Sequence, residues 1–126
     1  KVHHTLMNWE VYPEAVYEMI KKFSGYKSVK KIIITENGAS FPDEVIDGKI
    51  MDIDRTRFIQ SYLHQVLRAK QEGYKADGYF VWSLTDNFEW AEGYKQRFGL
   101  IYVDYTSQQR IIKQSGYWYK EFLDTP

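Results

Sequence analysis

Two stretches of the 126-residue sequence carry side chains whose types and spacing could do chemistry. The first is Ile34-Thr35-Glu36-Asn37-Gly38, where a β-branched run gives way to a carboxylate. A carboxylate at the rim of a packed core can attack an electrophilic carbon or move a proton. The second is Trp82-Ser83-Leu84-Thr85-Asp86-Asn87-Phe88-Glu89-Trp90, followed by Arg97-Phe98-Gly99. Trp82 offers a flat platform for the apolar face of a sugar ring. Glu89 can accept hydrogen bonds from two neighbouring hydroxyls, and the Trp90 indole N–H can donate another. Taken singly, each stretch also admits a plainer reading. Glu36 fits a glutamate exposed in a βα turn, and residues 82–90 fit a structural loop of core rings and solvated acids.

Composition narrows the choice. Lys and Arg total 17 against 17 Asp and Glu, so the basic surplus of a nucleic-acid or anionic-membrane binder is missing. No run approaches the ~18 apolar residues of a membrane-spanning helix. Without cysteine, disulfide frameworks, thiolate zinc sites and thiol nucleophiles all fall away. The same absence suits a reducing compartment, and a cytoplasmic location is the expectation. Four Trp, eleven Tyr and seven Phe make 17% of the chain, and twelve of these rings fall between Tyr79 and Tyr119. Core packing could absorb them, and so could a sugar site. Other signals are weaker. His3-His4 point apart and lack a third ligand, so no metal is expected. Asp43, Asp47, Gly48, Asp52 and Asp54 lack the spacing of a calcium loop and read as a solvated one. The alternating charges of Arg55–Glu72 read as an exposed helix face. No cofactor is implied.

Strands and helices must place these groups. Pro13 at the first helical position opens a helix whose apolar stripe is Ala15, Val16, Met19, Ile20 and Phe23, and Gly25 closes it. Ile32–Thr35 reads as a strand buried on both faces, stopping at Glu36-Asn37-Gly38. After an irregular loop over 39–53, Asp54 is the predicted N-cap of a helix over Arg55–Glu72. Its buried face is Phe58, Ile59, Tyr62, Leu63, Val66 and Leu67, and Gly73 follows it. Tyr79–Trp82 reads as a second strand, Asp86–Gly99 as a long loop, and Leu100–Val103 with Arg110–Lys113 as a hairpin. Gln114–Leu123 closes the chain as a helix with Trp118, Phe122 and Leu123 on one side. This order means parallel α/β units with right-handed crossovers. Two central strands cannot close a barrel, and a complete (β/α)₈ barrel needs about 250 residues. Residues 1–126 therefore read as part of a single larger barrel domain, in keeping with a start at Lys1-Val2-His3 that lacks an initiator methionine. In such a barrel the C-terminal ends of strands form the catalytic rim, where Glu36 falls.

In combination and in this order, the motifs make the sequence resemble glycoside hydrolase family 1, the retaining β-glucosidases. Residues 34–38 match the family's Ile/Val-Thr-Glu-Asn-Gly motif, and 82–90 match its Trp-Ser-x-x-Asp-Asn-x-Glu-Trp motif. The stretches 93–100, 113–119 and Asn8-Trp9-Glu10-Val11-Tyr12-Pro13-Glu14 also fit. The resemblance implies the C-terminal part, the last two βα units, of a (β/α)₈ TIM barrel, incomplete by itself. It implies Glu36 as the nucleophile that forms a covalent glycosyl-enzyme, Trp82 as the floor of the −1 subsite, and Glu89 on the O4 and O6 hydroxyls. Trp90 would bind O3, Phe98 would pack near the C6 end of the glycone, and Trp9 would line the aglycone side. A cis peptide between Trp82 and Ser83 is implied as well. Family members that act on 6-phosphoglycosides carry serine where this chain has Glu89. A carboxylate there would repel a dianionic phosphate in a dry pocket, which points to unphosphorylated β-glycosides or oligosaccharides. Retention needs a second carboxyl about 5–5.5 Å from the first. The family supplies it from an Asn-Glu-Pro motif that occurs nowhere here. The expectation is half of a catalytic pair, inactive by itself, whose partner is the missing N-terminal part of the barrel. The alternative is a non-catalytic sugar-binding or structural piece.

Overall fold

The computed structural model describes residues 3–125; Lys1 and Val2, at the start that lacks methionine, and Pro126 lie outside the described residues. The chain runs α1 (Glu14–Ser24), β1 (Ile32–Asn37), α2 (Ile53–Gln71), β2 (Ala76–Val81), a 3₁₀ turn (Trp90–Glu92), β3 (Ile101–Val103), β4 (Arg110–Ile112) and α3 (Gln114–Asp124). β1 and β2 pair in parallel, with α2 as the crossover, while β3 and β4 form a separate antiparallel hairpin. The architecture is α/β in the expected order. No closed sheet forms among the described residues, and the central pair keeps two free edges.

The first helix departs from its predicted stripe. Pro13, at φ −61° and ψ −31°, is already helical, as its locked φ favours. Gly25 closes α1 at φ −67°, so it is not the left-handed residue expected of a helix-ending glycine; its N–H simply reaches the carbonyls of Lys22 and Phe23. Tyr17 and Ile20 are the buried residues, whereas Met19 and Phe23 are 49% and 40% exposed. A count of aliphatic positions passes over Tyr17. Its ring goes inward because its hydroxyl can still donate to Glu72. That bond, ahead of burial, pushes the Tyr17 phenol up to about 12. An unfolded tyrosine titrates near 10, so between those values the unfolded chain gives up its proton first. Stability should therefore fall as pH rises through that window. In thermal melts across it, Tyr17→Phe should flatten the decline, and an unchanged slope would contradict the assignment.

Two clusters flank α2. Tyr17, Ile20, Val66, Ala69 and Ala76 form one, with Ile32, Ile34 and Tyr79 against it. Ala39, Phe58, Ile59, Leu63 and Leu100 form the other, with Trp118, Tyr119 and Phe122 against it. Ile20 and Ile59 are almost wholly excluded from water, each contributing about 1.5–3 kcal/mol by burial. Leu67 and Leu123, both predicted inward, stand 40% and 62% exposed. Gly73 takes φ +87° directly beyond α2, as predicted.

The N-cap position of α2 is Asp52 rather than Asp54, and its carboxylate does not cap the helix. Arg55 and Ser115 take that carboxylate instead, while Asp54 stays in solvent. Burial of β1 on both faces is not observed either. Ile32 and Ile34 pack under the helices, but Ile33 and, on β2, Phe80 are 48% and 60% exposed. The described residues supply helices to one side of the sheet only. None of their helices is long and apolar enough to cross a membrane.

Candidate active site

The end of β1 is irregular in a way that serves Glu36. Ile34 pairs with Tyr79 and Asn37 with Val81, so Thr35 and Glu36 together oppose Phe80. Such an extra residue bends a strand and re-aims its side chains. Asn37 fixes the far side of the bulge: its carbonyl accepts from the Trp82 N–H at 3.0 Å, and its Oδ1 accepts from the Tyr79 hydroxyl at 2.7 Å. Gly38 is required by proximity rather than by a turn. A Cβ built there would lie 1.7 Å from the Trp82 carbonyl oxygen. Gly38→Ala must push the two strand ends apart, at a cost of about 3 kcal/mol. A denaturation midpoint equal to the parent's would disprove that tightness.

β2 hands over to the second motif through Trp82, whose peptide with Ser83 is cis. The loop that follows is zipped at its base: Ser83 N–H reaches the Phe98 carbonyl, Leu100 N–H the Ser83 carbonyl, and Asp86 N–H the Ile101 carbonyl. Gly99 permits this closeness, since a Cβ there would sit 2.2 Å from the Asp86 nitrogen. Further out, Glu89 and Gly93 pair through their backbones. Between them Trp90 begins the 3₁₀ turn at φ +36°, on the left-handed side that bulky residues seldom occupy. Its ring is 83% exposed, whereas Phe98 is 4% exposed and lies 6.0 Å, centroid to centroid, from the Trp9 ring.

All six residues singled out in the sequence border one cavity of about 570 Å³: Trp9, Glu36, Trp82, Glu89, Trp90 and Phe98. Three separate stretches of chain thus converge. Sequence reasoning missed Glu10, Asn37, Gly38, Phe58 and Tyr62 as further wall residues. Glu10 was signalled only by standing next to Trp9, and Phe58 and Tyr62 only as core positions of α2. Three carboxylates line the space, and among the described residues no Lys, Arg or His does. Rings with hydrogen-bond acceptors between them suit a neutral polyhydroxylated ring with flat apolar faces. No group of three or more His, Cys, Asp or Glu is placed to hold a metal among the described residues.

A cluster of ions departs from the solvated loop and exposed helix face that the sequence predicts. Asp43 and Asp52 are not solvated, and Arg55 is not on an exposed helix face. Arg55 donates to Asp43 at 2.8 Å and to Asp52, with side-chain exposures of 1% or less. Lys113, also sealed from water, donates to Asp43 and, at 2.8 Å, to Asp86. Arg97 completes the set on Asp86 at 2.6 Å. Three cations meet three carboxylates, which is how buried charge becomes tolerable. Burial, then the neighbouring Arg55, pulls the Lys113 ammonium below its ordinary value. Burial opposes the charge of Arg55 too, but Asp43 and Asp52 outweigh it and hold that guanidinium above its ordinary value.

Known proteins resemble this chain in sequence and in fold. Beta-glucosidase A of Thermotoga maritima is 51% identical over 120 residues, which cover 94% of this chain and 27% of that protein. A 6-phospho-beta-galactosidase of Clostridium acetobutylicum is 43% identical over 121 residues, 95% of this chain and 26% of that protein. Among solved structures, a beta-glucosidase from Thermotoga maritima in complex with glucoimidazole superposes with a TM-score of 0.94 at 48% identity. That match covers 98% of this chain and 28% of the other. The chain therefore spans little more than a quarter of the length of these relatives. With the glycosyl hydrolase family 1 profile matching residues 1–126, and with Glu36 at a strand end facing a ring-lined cavity, the chain belongs to glycosyl hydrolase family 1.

Proposed function

We propose that this chain is the C-terminal portion, the last two βα units, of a single-domain (β/α)₈ barrel enzyme that hydrolyses unphosphorylated β-glycosides by double displacement. The observation that carries the reading is the convergence of Glu36, Trp82, Glu89, Trp90, Phe98 and Trp9 on one cavity. Glu36, at the C-terminal end of β1, is the nucleophile. It attacks the anomeric carbon as the glycosidic C–O bond breaks, and the leaving oxygen takes a proton from the acid/base. Water then releases the sugar from the glycosyl-enzyme, with the same acid/base removing its proton. Trp82 supports the glycone ring, Glu89 takes O4 and O6, Trp90 takes O3, Phe98 packs toward C6, and Trp9 meets the aglycone.

The carboxyl acid/base comes from barrel strands outside these residues, because the chain contains no Asn-Glu-Pro. The isolated chain is accordingly expected to turn nothing over. Neither a cofactor nor a metal takes part, and a cytoplasmic location fits the absence of cysteine. Glu89 favours glycosides free of phosphate, because its charge would oppose a phosphate at C6. The missing acid/base also supports a second reading, in which the chain binds sugar or completes a partner without catalysing anything. A 2-deoxy-2-fluoro glycosyl inactivator applied to the longer protein that carries this chain separates the two. Mass mapping should find the adduct on Glu36, whereas an adduct on another residue, or none, would defeat the catalytic reading.

A further inference from the structure

The proposed function leaves the buried ions unexplained, and Asp86 is where they touch the cavity loop. Its carboxylate is wholly shielded from water and accepts from four donors. Oδ1 takes the Gly99 N–H at 2.9 Å and the Lys113 ammonium at 2.8 Å. Oδ2 takes the Arg97 guanidinium at 2.6 Å and the Val103 N–H at 3.4 Å. One side chain thereby joins the outgoing limb of the loop, at Asp86, to its returning limb at Arg97 and Gly99, to β3 and to the start of α3. Through Lys113 the clamp continues to Asp43, in the segment that follows β1 and Glu36. Glu89 stands one short turn beyond Asp86. Past it the loop is held by the Glu89–Gly93 backbone pairing and by ring contacts of Tyr94 with Phe88 and Tyr105, while the Trp90 ring projects into solvent.

We infer that Asp86 is a positioning residue. By closing the loop base it fixes where Glu89 and Trp90 stand relative to Glu36, and so which glycone hydroxyls the cavity accepts. This rests on the glycosidase reading above. A misplacement near 1 Å at a binding group costs about 10²-fold in rate, and the loss should fall where Glu89 acts. A merely structural residue would instead lower the number of working sites alike for every substrate.

The test uses the longer protein that carries this chain, with aryl β-glucoside and aryl β-xyloside as a pair; the xyloside lacks the C6 hydroxymethyl group. Sites are counted with the fluoro-sugar inactivator, so misfolded protein drops out of the rates. Asp86→Asn should cut kcat/KM per site for the glucoside by about 10²-fold, mostly through KM, and cut it much less for the xyloside. In a Glu89→Gln background the same change should add no more than about 2-fold. Where Asp86→Asn yields too few sites to measure, Arg97→Gln loosens the clamp from its more exposed side, at 19% side-chain exposure, and should shift the substrate ratio in the same direction. Equal losses for both substrates, or full multiplicativity with Glu89→Gln, would overturn the positioning role while leaving the glycosidase reading intact. Failure of the unaltered protein to hydrolyse any β-glycoside would overturn the glycosidase reading itself.

Discussion

Replacing Glu36 by Gln in the longer protein that carries this chain should lower turnover of an aryl β-glucoside by on the order of 10⁴-fold or more. The substitution keeps the size and hydrogen-bonding reach of the side chain but removes the negative charge that makes its oxygen a nucleophile toward the anomeric carbon. Folding should be little affected, because Glu36 is exposed at the cavity wall and takes part in no ion pair among those described. Affinity for unreacted glycoside should survive, since the glycone contacts assigned to Trp82, Glu89 and Trp90 remain. The chemistry can also be restored in a distinctive way. Glu36→Ala opens a space where the carboxylate stood, and azide can enter it and attack from the same face, while the acid/base still protonates the leaving group. The product should be an α-glycosyl azide, of opposite configuration to the β-glycose released by the parent. Near-normal turnover in Glu36→Gln, or no azide adduct from Glu36→Ala under conditions where the parent is active, would remove Glu36 from the role.

The second large effect concerns stability. Lys113→Met preserves the volume of a side chain sealed from water but strips the cation from between Asp43 and Asp86. Two carboxylates then share a dry space with Arg55 and Arg97 as their remaining partners. Breaking a buried pair by removing one member costs about 3–5 kcal/mol, because the surviving charge is left without compensation. Chemical denaturation of the same longer protein should show a loss of that size for Lys113→Met. Adding Asp86→Asn should cost much less than its own single-variant loss, since the two residues belong to one network. Strict additivity, or a single-variant loss near zero, would mean that water already reaches these ions.

Why the sequence shows some of this and not the rest follows from how far each interaction reaches along the chain. The element order was legible because periodicity and turn residues act over a few positions, and the two motifs were legible because each is contiguous. Burial of charge was not. Asp43 meets Arg55 across 12 positions and Lys113 across 70, while Lys113 meets Asp86 across 27. Read locally, an Asp-rich loop and a charged helix face both default to solvent. Gly38 shows the same limit: beside Asn37 it looks like a turn residue, yet its necessity comes from Trp82 on the adjacent strand. Tyr17 was misjudged for a different reason, because its inward ring and outward hydroxyl answer to two environments at once. The Asp52 carboxylate is taken by nearby Arg55 and by distant Ser115 rather than by its helix, and the second of these cannot be seen locally. The bulge at Thr35–Glu36 has no local signature at all, since register is a property of two strands.

The three carboxylates and their three cations also bear on how such sequences can be recombined. Every charged partner of each ion lies between Asp43 and Lys113, with Ser115 satisfying the last of Asp52's needs. A crossover between two related genes placed inside that interval would set the acids of one parent against the bases of the other, with packing that neither has tested. A crossover ahead of Asp43 passes the whole set on intact, together with the loop that bears Glu89 and Trp90. For the building of chimeras, residues 43–115 behave as one heritable block.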